Sequence, residues 1–246
     1  MKPNIQYFEP EELLDFCTEK IISCLKTALT NSNEVGMVLA GGSSYQKIYQ
    51  KIAHEHGNTL NWSRVHLFFG DERMVSQSDI NSNYLSIQKA WLQQLQGNNK
   101  PIIHPFLTHL SPNEVVKNYD AEIKKFKKEG GVFALALLGV GSDGHTASLF
   151  PLAKSTWEST DQLVLAVEAE QAPFISRITL TPAFFEQVLE IIFVISGEGK
   201  QLIAQSIKEN KEDEYPFLDI KIASGNIYYL VDRTLFDNWK RPSQNK

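Results

Sequence analysis

His145 is the residue best placed to do chemistry in this sequence of 246 residues. It stands in the run Phe133 to Pro151, FALALLGVGSDGHTASLFP. An imidazole with an ordinary pKa near 6.5 can take a proton from water at neutral pH. Asp143 offers a carboxylate two residues away, either as the partner of His145 or as a local cap, and the spacing does not choose between them. The plain alternative is a structural histidine. Its glycine-rich neighbourhood, however, supplies few apolar groups for the ring to pack on. Gly139, Gly141 and Gly144 also fit a dinucleotide fingerprint. That motif needs a long helix after its third glycine. Here Thr146 to Leu149 can start a helix, but Pro151 stops it after little more than a turn. A nicotinamide enzyme therefore ranks low.

Three further bends carry groups suited to an anionic substrate. Gly41-Gly42-Ser43-Ser44 combines backbone that can approach a ligand with two hydroxyls and the start of a helix, the composition of a phosphate cradle. A tight turn with a serine cap is its bland reading. Gly70-Asp71-Glu72-Arg73 puts three charges after an apolar run, which on composition alone reads as a solvated turn. Lys200 closes Ser196-Gly197-Glu198-Gly199-Lys200 at a glycine-flanked corner, and Arg177 falls on the polar side of the alternating run Ser176 to Thr181.

Elements that would position these groups can be traced along the chain. Val35 to Ala40, Val65 to Phe69, Phe133 to Leu138, Leu163 to Val167, Ile191 to Ile195 and Tyr228 to Val231 read as strands, and Ser176 to Thr181 as a half-exposed one. Helices are expected from Pro10 to about Asn31, from about Tyr45 to His54, and from Asn83 to about Leu95 with Ser82 as cap. Others follow from Ser111, as a capping box, to about Lys128, briefly after Thr181-Pro182, and from about Gln201 to Lys208. The alternation predicts an α/β fold, a doubly wound, mostly parallel sheet with helices on both faces, in one domain spanning 1–246. Parallel strands bring their exit bends to one edge, where Ser43, Asp71, His145 and Lys200 would meet. The basic end of the fourth helix, Lys124 to Lys128, reads as a solvated face, and Lys240 to Lys246 as a frayed end.

Composition removes other classes. Lys and Arg total 24 against 29 for Asp and Glu, a net charge of −5, which leaves no basic stripe for nucleic acid. No apolar run reaches a membrane span and the start of the chain has no signal-peptide core. Cys17 and Cys24 lie too far apart along one helix to bridge, which fits a reducing compartment and a cytoplasmic protein. No metal-ligand set is visible. His54 and His56 point to different sides of a helix, while His104 and His109 are expected in a loop.

Ala40 to Ser44 (AGGSS), Phe68 to Val75 (FFGDERMV), Ser82 to Tyr84 (SNY) and Leu137 to Pro151 (LLGVGSDGHTASLFP) occur in order, followed by Arg177 to Thr181 (RITLT) and Ser196 to Lys200 (SGEGK). On these segments the sequence resembles the 6-phosphogluconolactonases over nearly its whole length. The resemblance implies an α/β sheet shared with glucosamine-6-phosphate deaminases and ribose-5-phosphate isomerases. It also implies hydrolysis of 6-phosphogluconolactone, a step of the oxidative pentose phosphate pathway, without cofactor or metal. His145 would be general base on water, with Asp143, Asp71 and Arg73 completing the catalytic set. Arg73 would steady developing negative charge or grip phosphate. Gly41, Gly42, Ser43, Ser44, Arg177 and Lys200 would bind the phosphorylated sugar lactone. The expected partner is that small molecule alone, with neither nucleic acid nor membrane, in a monomer or weak homodimer. Rivals are a sugar-phosphate isomerase or deaminase with Asp71 as carbon-acid base, and a non-catalytic sugar-phosphate sensor. The chain departs from the family at Tyr45, where a proline is usual, and matches it only loosely at Pro216-Phe217-Leu218.

Overall fold

A computed structural model describes residues 4–95, 97–209 and 215–237, except the side chain of Ser43. The chain runs β1 (Asn4–Phe8), α1 (Pro10–Asn31), β2 (Val35–Leu39), α2 (Ser43–His56), β3 (Val65–Phe69), β4 (Asp71–Arg73), α3 (Asn83–Ala90), β5 (Ile102–His104) and α4 (Pro112–Lys128). It continues through β6 (Val132–Gly139), α5 (Lys154–Trp157), β7 (Val164–Val167), β8 (Arg177–Leu180), α6 (Pro182–Phe185), β9 (Glu190–Ile195), α7 (Gln201–Glu209) and β10 (Asn226–Asp232).

The main sheet has seven strands in the order β1-β10-β9-β6-β2-β3-β5, every pair parallel. Its central strands β2, β3 and β6 are apolar because both faces are covered; every residue of β2 and β3 is buried. From β2 the chain steps outward through β3 to β5, then returns to lay β6 on the other side of β2. The switch point thus lies between β2 and β6, where a crevice opens beyond the strand ends. Helix α1 packs Leu13, Cys17, Ile21, Leu25 and Ala28 inward at helical spacing, and Cys17 and Cys24 are buried free thiols. Ser111 and Glu114 cap α4 as expected. Among the described residues no helix is long and apolar enough to cross a membrane.

Several local expectations are corrected. Strand β1, an edge strand beside β10, is not among the expected strands. The Asp71–Arg73 segment is not a solvated turn but a strand, antiparallel to β8 in a second sheet of order β4-β8-β7. Being its middle strand, β8 is wholly buried rather than half-exposed. His104 lies in β5, not in a loop. Thr146 to Leu149 forms no helix: a tight turn closes on itself through a Thr146–Leu149 bridge, with Ala147 in the left-handed region at φ 49°. Helix α3 stops at Ala90 and gives way to a short 3-10 turn at Leu92–Gln94. Lys240 to Lys246 lies outside the described residues.

Candidate active site

Exits of the main sheet and two strands of the second sheet meet over the switch point around a cavity of about 360 Å³, room enough for one phosphorylated sugar acid. Gly41 and Gly42 line it from the end of β2, Asp71 and Arg73 from β4, His145 from the bend after β6, Arg177 from β8 and Lys200 from the bend after β9. Helix α2 starts at Ser43 with Gly42 as its N-cap and no side-chain cap, which suits the turn before it to an anion. Gly41 must be glycine, because a Cβ there would meet Asn83 Oδ1 at 1.9 Å.

The His145 bend is fastened from within. Gly141 N–H donates to His145 O at 2.7 Å and Thr146 Oγ1 donates to Gly139 O at 2.8 Å. Gly144 takes φ +80°, and a Cβ on it would strike Tyr215 at 2.3 Å. Phe217 N–H reaches Gly144 O at 3.1 Å, so the loosely matching C-terminal segment braces this bend. His145 Nδ1 lies 2.6 Å from Asp143 Oδ1, and the same oxygen accepts from His145 N–H at 3.2 Å. Asp143 is therefore partner and cap together. In the neutral ring that contact favours the proton on Nδ1 and leaves the lone pair on Nε2. Burial raises the Asp143 carboxyl, but the hydrogen bond and charge of His145 outweigh it and hold the group below its ordinary range. The imidazole keeps 25% of its side chain exposed and meets one aromatic ring, Phe150, at 5.0 Å. It is not packed as a core histidine.

Cations face it. Arg73 and Arg177 are register partners across β4 and β8. Arg73 donates to Asn81 O at 2.5 Å and Arg177 to Pro173 O at 3.3 Å, yet Nε of each is buried without a protein partner. Burial, then the charge of Arg73, lowers the Arg177 pKa despite Asp71 and Glu72. Lys200 Nζ donates to Val140 O, and burial lowers its pKa although Asp143 pulls the other way. One buried and two half-buried cations, Arg177 with Arg73 and Lys200, line the same cavity, which favours an anionic ligand.

Asp71 accepts from Asn83 Nδ2 at 3.0 Å and from Ser148 Oγ at 2.6 Å, so both its oxygens are engaged. Ser44 does not line the cavity; its hydroxyl accepts from Ser196 Oγ at 3.2 Å. The side chain of Ser43 lies outside the described part of the structure. Sequence reasoning missed Asn83, Ser148 and Glu72. Glu72 is 2% exposed and accepts from Asn83, Tyr84 and Arg73 N–H at 2.7–2.8 Å and from Ser82 Oγ at 3.1 Å. Only the SNY run hinted at Asn83. A larger open groove, about 870 Å³ between α4 and the start of β7, carries Lys117, Lys124 and Lys127 but no histidine and no glycine turn. Lys124 there pairs with Asp120 at 2.6 Å, a solvated helix face.

The family profile described as glucosamine-6-phosphate isomerases/6-phosphogluconolactonase matches residues 9–229. A 6-phosphogluconolactonase of Aggregatibacter actinomycetemcomitans is 32% identical over 76% of this chain and 79% of its own. One from Synechocystis is 29% identical over 97% of this chain and 99% of its own. The crystal structure of the 6-phosphogluconolactonase from Thermotoga maritima superposes with a TM-score of 0.81 at 27% identity, covering 94% of this chain and all of that one.

Proposed function

The chain belongs to the glucosamine-6-phosphate isomerase/6-phosphogluconolactonase family and hydrolyses 6-phosphogluconolactone; we propose that His145 takes the proton from the attacking water. One observation carries this reading: His145 shares a single cavity with Arg177 and Lys200 while Asp143 holds its Nδ1. Water bound at Nε2 gives up its proton as its oxygen adds to the lactone carbonyl. The resulting imidazolium can return that proton to the departing ring oxygen, and the Asp143 carboxylate stabilises it meanwhile. Lactone plus water becomes the free acid with no proton left over.

Arg177, Lys200 and the Gly41-Gly42 turn hold the phosphate. Arg73 joins them, since two adjacent guanidinium groups with unpartnered Nε suit a dianion better than a transient oxyanion. Asp71 balances the arginine charge. Its two engaged oxygens favour that role over the carbon-acid base of an isomerase. The cavity gathers residues from Ala40 to Lys200, which supports one α/β unit over separate domains. The net charge of −5 supports a small-molecule substrate over nucleic acid, and two free buried thiols support the cytoplasm as compartment.

The test is a pH-controlled assay on fresh 6-phosphogluconolactone with spontaneous decay subtracted, run on the parent and His145→Ala. Parent turnover with a collapse of kcat in the variant is expected. Equal kcat in both would remove His145 as base, and amino-sugar phosphate turnover in place of lactone loss would move the chain to the deaminase side.

A further inference from the structure

We propose that three buried tyrosines, Tyr45, Tyr49 and Tyr119, are positioning residues for the reaction, each fastening the backbone where a strand leaves the sheet for a site bend. The inference rests on the site reading above and concerns residues outside the cavity.

A strand that ends in a functional bend stops making ladder hydrogen bonds, and its last N–H and C=O groups need other partners in a water-free interior. In this sheet tyrosine hydroxyls supply them. Tyr49 Oη donates to Ala40 O at 2.9 Å and accepts from Ala40 N–H at 3.1 Å, just before the Gly41-Gly42 turn. Tyr119 Oη accepts from Phe69 N–H at 2.7 Å and donates to His104 O at 3.1 Å, two residues before Asp71. Tyr45 Oη serves two strands at once. It donates to Leu138 O at 2.8 Å, with Ile192 O at 3.2 Å, and accepts from Val194 N–H at 3.2 Å. Leu138 leads into the His145 bend and Val194 into the Lys200 bend. Tyr45, Tyr49 and Tyr119 are each 2% exposed or less. Burial raises all three pKa values, so each keeps the one proton it needs to donate while accepting from an N–H.

Tyr45 therefore sets the spacing between the general base and a phosphate cation, which neither bend can fix alone. A misplacement of about 1 Å between reacting groups can cost on the order of 10²-fold in rate. Tyr49 and Tyr119 each fasten one exit, to the phosphate turn and to the Asp71-Arg73 segment. The residue that departs from the family's usual proline is thus the one tying the two halves of the site together.

Phenylalanine at each position keeps the ring packing and removes only the hydroxyl. Tyr228→Phe is the control, a buried tyrosine whose Oη meets Lys20 Nζ at 2.9 Å far from the cavity. Each variant is assayed for lactone kcat and KM and for competitive inhibition by inorganic phosphate, at a temperature well below its own Tm. Tyr45→Phe should lower kcat by about tenfold or more and leave the phosphate Ki within about twofold, because phosphate alone does not span the two bends. Tyr49→Phe should instead raise the lactone KM and the phosphate Ki together, and Tyr228→Phe should shift Tm alone. A Tyr45→Phe enzyme with parental kcat, or one whose kcat falls no further than that of Tyr228→Phe, overturns the proposal. A parent without lactone turnover overturns the site reading itself, and the phosphate Kd, read by thermal shift in each variant, keeps the two failures distinct.

Discussion

At the exit of β6, His145 Nδ1 lies 2.6 Å from Asp143. On the α4-covered face of β3 and β5, His66 Nδ1 lies 2.8 Å from His104 Nε2, whose Nδ1 lies 2.9 Å from Glu122. The side chains are alike and the settings are opposite. His66 and His104 are roofed by Phe126 and Phe68 at 4.7 and 4.3 Å, and their side chains are 10% and 14% exposed. Neither lines the cavity that holds His145, and carboxylates rather than cations surround them: Glu34 stands 3.3 Å from His66 Nε2. An imidazole–carboxylate contact is thus no mark of catalysis by itself. What distinguishes His145 is its place in the lining of a cavity that Arg73, Arg177 and Lys200 also line.

The comparison breaks first at the histidines themselves. His145→Gln should lower lactone kcat by about 10²–10⁴-fold, the usual worth of a general base, with KM little changed. His66→Gln should leave both constants at the parental value. Steady-state kinetics on the two variants decide it, and a large kcat loss in His66→Gln would mean that the outer pair feeds the site. The cationic wall is the second difference. Lys200→Ala should raise KM by about 10–100-fold, the cost of one charge-assisted hydrogen bond to the phosphate, and move kcat much less. A parental KM would take Lys200 off the phosphate.

Much of this arrangement was legible in the sequence because the exit bends of a parallel sheet share an edge. Once Val35 to Ala40 and Phe133 to Leu138 read as buried strands, convergence of Gly41-Gly42 with His145 followed from topology. What stayed hidden depended on contacts that cross the chain. Asp71-Glu72-Arg73 looked like a solvated turn because three successive charges carry no local sign of a partner strand, and β8 lies more than a hundred residues on. Arg177 looked half-exposed for the same reason, since alternation reports that one face is polar but not that another element covers it. The neighbour of His145 was visible, yet the dual use of Asp143 Oδ1 needed coordinates. Tyr45 registered only as a departure, and its three backbone partners lie 93 to 149 residues away.

Glu72 sharpens the comparison from within the site, as a carboxylate that touches no ligand-facing atom. Burial raises its pKa against three backbone N–H groups that favour the charged form. Glu72→Gln turns one acceptor oxygen into a donor facing either the Arg73 and Asn83 amides or Tyr84 N–H and Ser82 Oγ. The expected loss is about 1–3 kcal/mol of stability, read by denaturant unfolding. Parental stability would show that those donors find other partners.

The smallest effect belongs to the outer histidine pair and concerns stability alone. Burial, then the neighbouring His104, holds the His66 pKa below its ordinary value, although Glu34 and Glu129 pull it up. With both rings neutral only two of the three contacts carry a proton: His66 Nδ1–H to His104 Nε2 and His104 Nδ1–H to Glu122 leave His66 Nε2 without one opposite Glu34. An unfolded histidine takes up its proton near pH 6.5, the folded His66 only at lower pH, so the unfolded chain binds more protons across that interval. Stability should therefore fall as the pH drops from about 6.5 towards the folded pKa. One proton limits that slope to about 1.4 kcal/mol per pH unit. In His66→Phe the slope should flatten across that interval, while the pH profile of kcat stays as in the parent. Unfolding curves between about pH 7 and pH 5 check the first half and lactone assays at the same pH values the second. An unchanged stability slope would mean that His66 is protonated in the folded chain as readily as in the unfolded one. The outer pair would then hold a charge of its own, and the contrast with His145 would have to rest on access to the cavity alone.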